Sequence, residues 1–472
     1  MDVSLDLRSA QQALEDLSTV IPARRVITDP DILGSYRYDR APDLYAGIPA
    51  AVIRAHTTAE VQAVMKAAHS RGVPVVPRGA GAGLHGGANA IDGCFVLALE
   101  QMDAVVDVDT VDRLCVVQPG IMNLDLKTQL AIDGWWYPPD PASMAFCSIG
   151  GNIATNAGGL CCVKYGVTRD WVAGLEVVMA DGTLVQTGAR PIKSVAGYDL
   201  TSLFVGSEGT LGVVTGATLR LCPKPPPAST LVAFFDDVAA AGTAVADICA
   251  GQPPALLEIM DRATIGAVND WQRMDLDTDA AALLLIQSDL DTAARIDHVS
   301  FIEKACGARG ASYVARTDDP DEGEALLQAR RMALPAVEQR GVALLEDVGV
   351  TRSRVPDLIL ATERIATRRG VDIYSYGHAG DGNMHPTLCW AADDQDEHDR
   401  AMLAFDDILA AALEMGGTIT GEHGIGLMKE AWLERQIGAA SMDLQRTIKQ
   451  ALDPSDILNP GKMALGARHA NS

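Results

Sequence analysis

The chain has 472 residues, 48% hydrophobic and 21% charged, the composition of folded domains rather than of disorder. Its 38 basic against 62 acidic residues leave a net charge of −24, which repels nucleic acid and anionic membrane surfaces on average. An acidic small molecule is repelled too, so a site for one must carry a local cation.

The opening Met1-Asp2-Val3-Ser4-Leu5-Asp6 lacks the basic and apolar regions of a secretory leader. No run of about 18 apolar residues follows, so no membrane-spanning helix is expected. Ala50–Arg54 is a short apolar run, Thr58–Arg71 has helical periodicity with Thr57 or Thr58 as N-cap, and Val73–Val76 is a second strand. This β–α–β start predicts an α/β beginning. Glycine then becomes dense in three stretches, at 79–87, 150–159 and 206–216, which suggests repeated close approach of backbone to one large ligand. The Pro223-Lys224-Pro225-Pro226-Pro227 segment reads as a linker. Beyond it, strand-like runs at Leu231–Phe235 and Ala282–Gln287 alternate with alanine-rich helices, the pattern of a second, α+β domain. Asp453–Lys462 reads as a closing turn region before a polar tail. The nine cysteines are scattered without a C-x-x-C pair, which argues against an iron–sulfur cluster or a structural zinc and fits reduced thiols in a cytoplasm.

The first glycine stretch contains a decoy. Residues 81–86 match G-x-G-x-x-G, and Glu100 stands near the acidic position of a dinucleotide fold. A Rossmann loop must open a helix, whereas Gly86–Gly93 is too glycine-rich and short for one and runs into a strand at Cys94–Leu99. The better reading is a nest of backbone N–H groups over a phosphate, with Arg78 adding charge. In the second stretch, Pro138, Pro139 and Pro141 fix an extended entry, and Gly150, Gly151 and Gly158 allow backbone contact with a flat or charged ligand while Asn152, Thr155 and Asn156 supply polar groups.

Two later pieces concentrate histidine among glycines: Tyr376-Gly377-His378-Ala379-Gly380-Asp381-Gly382-Asn383-Met384-His385 and Gly421-Glu422-His423-Gly424-Ile425-Gly426. The glycines forbid a helix, so the first piece is a strand entering a tight loop that can fold His378 toward His385. With Glu422 they make two imidazoles and one carboxylate, a donor set for zinc or a similar divalent ion with an open position.

Together these segments resemble the vanillyl-alcohol oxidase/p-cresol methylhydroxylase type of flavoprotein. Within it they are similar to the FAD-linked D-2-hydroxy-acid dehydrogenases: D-lactate dehydrogenase, the glycolate oxidase FAD subunit and D-2-hydroxyglutarate dehydrogenase. The resemblance runs from about residue 50 to Lys462. It implies an α+β fold with a two-subdomain FAD domain (1–225), a substrate or cap domain (226–430) and a C-terminal segment (431–472) returning to the flavin. It implies that Arg78, Gly79, Ala80, Gly81, Ala82, Gly83 and Leu84 hold the FAD pyrophosphate. Pro139, Asp140, Gly150, Gly151, Asn152, Thr155, Asn156 and Gly158 then line the adenosine and flavin side, Glu208, Gly212 and Val213 the ribityl and adenine region, and Asn459 comes back to the flavin. Ala82 stands where the group usually has Thr and His85 where it has a small residue. The local pattern differs from that of relatives with histidyl-linked flavin, so FAD is expected to be noncovalent.

The same resemblance makes His378, His385 and Glu422 ligands of a divalent metal, zinc with manganese as the alternative. It makes His423 the base that takes the substrate hydroxyl proton while the α-hydrogen leaves as hydride to flavin N5. Asn383 stands behind the ligands. Arg330 is the carboxylate clamp, for which an arginine fork is suited. Lys429 is either another anion contact or a surface lysine. Leu334 and Thr387 replace the Thr and Asn of the hydroxyglutarate enzymes, which turns the expectation toward D-lactate, glycolate or a more apolar acid. Electrons then leave to a quinone, an electron-transfer flavoprotein, a cytochrome or a partner subunit. A cytoplasmic protein is expected, peripheral to the inner membrane through its acceptor, with a homodimer compatible. The rival functions are the FAD subunit of a glycolate oxidase complex, a D-2-hydroxyglutarate dehydrogenase, a regulatory protein binding flavin or metal without turnover, and an NAD-dependent Rossmann enzyme, which the missing helix disfavours.

Overall fold

The computed structural model describes residues 7–42 and 44–465. The N-terminal Met1–Asp6, on which the reading of no leader rests, and most of the polar tail (466–472) lie outside the described residues. The chain divides into two units. The first comprises Met1–Ala157, Val167–Pro223 and Glu422–Ser472, and the second Gly158–Gly166 and Lys224–Gly421.

In the first unit, β1 (Val26–Ile27), β2 (Ala51–Arg54), β3 (Val75–Arg78) and β4 (Phe95–Ala98) form a sheet in the order β1-β2-β4-β3. Strands β2, β4 and β3 are parallel, so their residues are apolar and almost wholly buried, as strands covered on both faces must be. The crossover from β2 to β3 is α1 (Thr58–Arg71). Thr57 is its N-cap, accepting from Glu60 N, and Gly72 ends it in the left-handed conformation. The helix buries Val61, Val64, Met65 and Ala68 against Ile53, Phe95 and Leu97. Between Arg78 and Phe95 there is no helix, so the G-x-G-x-x-G match is indeed a loop joining two strands.

A second, antiparallel sheet has β5 (Val105–Asp109), β6 (Leu114–Val117), β7 (Val172–Val178), β8 (Leu184–Gly188) and β9 (Val213–Arg220) in the order β5-β6-β9-β7-β8. Along β9 buried and less buried residues alternate, the period-two signature of a strand with one face on a core. The C-terminal segment closes on this unit. Leu458 bridges Val75 in parallel, Val75 N donates to Ile457 O (2.7 Å), and Asn459 N donates to Val75 O (2.8 Å).

The chain passes into the second unit inside the proline-rich 223–227 segment. Its sheet has eight strands: β10 (Ser229–Phe235), β11 (Leu256–Asp261), β12 (Ala282–Ser288), β13 (Ala311–Thr317), β14 (Val342–Leu345), β15 (Val348–Gly349), β16 (Asp372–His378) and β17 (Asn383–Trp390). The order is β13-β10-β12-β11-β16-β17-β14, with β15 also on β17, and every pairing is antiparallel. Helices intervene between the strands, so both units are mixed and the fold is α+β. Among the described residues no helix is long and apolar enough to cross a membrane.

Candidate active site

The glycine stretches of the first unit are brought together. Gly79 lies where a Cβ would come within 2.3 Å of Ser148 Oγ, so the first stretch packs directly on the second. The proline-bearing entry at 137–141 forms no regular element, and the glycines that follow lie in a helix, α2 (Ile149–Thr155). Ser148 caps it, accepting from Gly151 N, and Asn156 ends it in the left-handed conformation. Gly150 serves packing, since a Cβ there would sit 2.6 Å from Pro119 Cβ. Asn152 is buried in a network with Asn123 (Nδ2 to Oδ1, 3.0 Å) and the Cys147 thiol, and Pro139 O accepts from Asn123 Nδ2 at 3.2 Å. Gly79, Ala80, Gly81, Ala82, Gly83 and Leu84 are all partly exposed, a run of backbone and small side chains open to a ligand.

Arg78 braces this loop from beneath. It is buried and donates to Tyr38 O (2.9 Å) and Ala88 O (3.4 Å), and its guanidinium fills the space a Cβ on Gly81 would need, at 2.1 Å. Gly81 also has φ +70, so glycine is required twice over. A phosphate role for Arg78 therefore competes with two backbone carbonyls that already take its donors.

Glu208 ties the third stretch to the C-terminal segments. Its carboxylate is buried and accepts from Ile425 N (2.7 Å) and Gly426 N (2.9 Å). Burial outweighs those bonds and pushes its carboxyl up to about 7. Asn459 Nδ2 donates to Gly87 O (2.9 Å) and Glu208 O (2.8 Å), and Lys462 Nζ donates to Asn89 O (2.8 Å). Gly212 and Val213 are buried at the start of β9. Five chain segments thus converge on one glycine-lined cradle, which fits a long cofactor approached by backbone rather than by side chains. His85 is buried here and donates from Nδ1 to Gly424 O (2.7 Å), and its ring meets that of His423 edge-on at 5.6 Å. His423 Nε2 lies 3.4 Å from Glu422 Oε1. Lys429 is fully buried, which removes the surface-lysine reading.

In the second unit the hairpin β16–β17 follows from the glycines at 377, 380 and 382. Gly382 has φ +91, and a Cβ there would strike Val350 O at 1.9 Å. Its register pairs Tyr376 with His385 and His378 with Asn383, while β11 sets Met260 beside Tyr376. Side chains alternate across a strand, so Glu258, Met260, Tyr376, His378, His385 and Thr387 share one sheet face. The His378 and His385 rings stand edge-on with centroids 5.2 Å apart. His378 Nδ1 donates to both oxygens of Glu258 (2.7 and 2.9 Å), and His385 Nδ1 lies 3.3 Å from Glu346 O. Nδ1 engaged by a carboxylate or carbonyl fixes the ring in the orientation that metal-binding histidines have, so these two residues could hold a metal through Nε2. Asn383 sits at the tip, its amide against Gly421, where a Cβ would come within 2.3 Å of Oδ1. Gly421 N and Thr420 Oγ1 both donate to the buried Asp347.

Arg330, near the end of α3 (Pro320–Arg331), is 6% exposed. Its Nε is 2.8 Å from Glu258 Oε2 yet makes no aligned hydrogen bond, so the contact is an ion pair. The guanidinium lies 4.8 Å over the Tyr376 ring, whose hydroxyl accepts from Thr387 Oγ1 (2.9 Å). Glu258 is the residue the sequence reasoning missed. A lone Glu in the apolar strand Leu256–Asp261 was its one signal, because a buried carboxylate requires partners. Of the four proposed metal and base residues, His378 and His385 belong to the second unit and Glu422 and His423 to the first. The single peptide bond Gly421–Glu422 joins the two pairs in sequence.

Residues 49–188 match the family model of the FAD binding domain, and residues 224–463 that of the FAD linked oxidases, C-terminal domain. The glycolate oxidase subunit GlcD of Bacillus subtilis is 43% identical over 432 residues, 91% of each chain. The probable mitochondrial D-lactate dehydrogenase of Danio rerio is 36% identical over 422 residues, 88% of this chain and 84% of that one. Among solved structures, p-cresol methylhydroxylase with substrate bound superposes with a TM-score of 0.82 at 17% identity, covering 98% of both chains, a likeness of fold.

Proposed function

The chain belongs to the FAD-linked oxidases, and from that premise we propose that it oxidises a small D-2-hydroxy acid of the D-lactate type to the 2-oxo acid. The observation that carries this reading is the buried Glu258, which orients His378 and holds Arg330 on one sheet face. A carboxylate clamp and an oriented imidazole side by side suit a substrate with a carboxylate next to a hydroxyl.

The cradle of 78–84, 139–140, 150–158, 208–213 and 459 would hold FAD, which when bound supplies the two-electron acceptor for the α-hydrogen. His378, His385 and Glu422 would hold a divalent ion, zinc or manganese, which supplies Lewis acidity toward the substrate hydroxyl. The chain's own groups do the rest. Arg330 receives the substrate carboxylate, and Tyr376, held by Thr387, supports the guanidinium from below. Nε2 of His378 is aimed by Glu258. His423 takes the hydroxyl proton, with His85 packed on its ring.

Anaerobic mixing with D-lactate, glycolate, D-2-hydroxyglutarate and D-mandelate tests the reading by bleaching of the flavin band, with bound metal measured on the same sample. Bleaching by none of them overturns the substrate class. A second reading is favoured by the 43% identity to a protein named as a subunit: the chain works as the flavin subunit of a larger glycolate-oxidising complex. Turnover of the purified chain with dye acceptors separates the two, since an obligate subunit is inactive alone.

A further inference from the structure

The sheet face that carries Glu258 and His378 continues into a cavity. Its volume is about 560 Å³, and it lies between α3 and strands β10 to β13 of the second unit. Pairing in the sheet sets Val232 beside Leu285, Phe234 beside Leu283, and these beside Glu258 and Met260, so the floor is one apolar surface running to the ion pair. Helix α3 forms the opposite wall with Leu326, Ala329 and Arg330. The helix passes close over the sheet because Gly323 leaves no Cβ to meet Thr230 Oγ1, which would lie at 2.5 Å. The inner end is closed by Glu258 and Arg330, and the outer end opens by the exposed Tyr313 and Arg316.

Two features point to a ligand with a charged head and an apolar body. Arg330 is buried at the inner end with its Nε in ion-pair contact with Glu258 Oε2 (2.8 Å), so the rest of its guanidinium fork is the donor group an acid in the cavity would meet. The floor beside Arg330 is aliphatic and aromatic (Val232, Phe234, Leu283, Leu285), and the other polar residues of the lining are Asp275, Arg316, Thr317 and Glu322. At about 30 Å³ for a water-sized group, the space takes between fifteen and twenty such groups. Glycolate and lactate, with five and six heavy atoms, leave most of it empty.

We propose that this cavity receives the apolar chain of a medium-length D-2-hydroxy acid whose carboxylate sits on Arg330, making such acids better substrates than lactate or glycolate. This rests on the hydroxy-acid reading above and sharpens it from a carboxylate clamp to a tail-binding subsite. Each methylene buried is worth roughly a fourfold gain in kcat/KM. D-2-hydroxyoctanoate carries five more methylenes than D-lactate, so the series through D-2-hydroxybutanoate and D-2-hydroxyhexanoate rises by up to about a thousandfold if all are buried and by at least about tenfold if only two are.

The test is that series on the holoenzyme with a dye acceptor, repeated on Ala315→Phe, which places a ring on the cavity floor beside Val232. The expected result is a rising series for the native chain and a flattened ratio of octanoate-length to lactate for the variant, with the flavin spectrum retained as evidence of folding. A second variant, Leu326→Phe on the opposite wall, flattens it too. A flat or falling series in the native chain overturns the proposal. Titration calorimetry with octanoate, which has no hydroxyl to oxidise, separates this from the reading beneath it. If no hydroxy acid bleaches the flavin but octanoate binds and Ala315→Phe weakens it at least fivefold, the tail site stands and the hydroxy-acid reading falls. If octanoate does not bind the native chain, the tail site falls.

Discussion

Replacing Glu258 with Gln isolates the group on which the second unit's site is built. The carboxylate is wholly buried, 2.7 Å from His378 Nδ1 and 2.8 Å from Arg330 Nε. The amide keeps its size and can still accept from His378 through Oε1, but its NH2 then faces the guanidinium, donor against donor. Removing one partner of a buried pair while the other stays charged costs about 3–5 kcal/mol. Loosening the histidine's orientation costs about 10–100-fold in metal affinity, or about 1.4–2.7 kcal/mol. Urea unfolding of native and E258Q protein reads the first quantity, and metal retention against a graded chelator reads the second. The arginine is the source of the stability loss, so the double variant E258Q with Arg330→Met recovers part of it. The reasoning is refuted if E258Q unfolds within about 0.5 kcal/mol of the native chain and holds metal equally well.

Arg330→Lys keeps the charge and loses the planar fork, so kcat/KM for any hydroxy acid falls by roughly 10–100-fold with an unchanged flavin spectrum; native kinetics would contradict the clamp. Gly426→Ala introduces a Cβ 2.0 Å from His85 O at a residue with φ +52, which costs at least about 1–3 kcal/mol and lowers the flavin-to-protein absorbance ratio. Glu208 has a carboxyl raised from 4.5 to about 7 by burial, so the folded chain holds that proton more tightly than the unfolded chain. The stability this brings is complete below about pH 4.5 and lost as pH rises through about 7, roughly 3 kcal/mol in all; Glu208→Gln removes that slope, and parallel melting curves against pH for the two proteins would refute it. D-2-hydroxyglutarate is a poorer substrate than D-2-hydroxyhexanoate by at least about tenfold in kcat/KM, the worth of roughly 1.4 kcal/mol, and the reverse order would contradict an apolar tail site.

Much of this was legible in the sequence because it rests on backbone rules. Gly377, Gly380 and Gly382 left only a hairpin for His378 and His385, and the glycines after Arg78 ruled out a helix and with it a Rossmann turn. The structure agrees at both places. In the second glycine stretch Gly150 and Gly151 read only as backbone open to a ligand, and the helix they stand in was not foreseen. They are helical, with Gly150 permitting contact with Pro119, a tertiary reason that no local pattern displays. Lys429 stayed open between an anion contact and a surface lysine because solvent is the usual home of a lysine, and its burial removes only the second. Glu258 was out of reach because its partners lie 72 and 120 residues away in sequence, at Arg330 and His378. Only the order of the eight strands brings β11 beside β16 and under α3.

That order also bears on why the proposed site would favour a monocarboxylate over a dicarboxylate. Arg330 and Glu258 cancel in charge at contact distance, so the buried pair presents no net charge to an arriving ligand. In the proposed site the planar guanidinium of Arg330 would take the one carboxylate of a 2-hydroxy acid through its fork of N–H donors. A second carboxylate on the same substrate would lie along Val232, Phe234, Leu283 and Leu285, side chains without a hydrogen-bond donor, before it could reach Arg316 or Thr317. The apolar floor beside a single arginine is thus the reason the proposed substrate has one acid group, one hydroxyl and a chain that prefers to leave water.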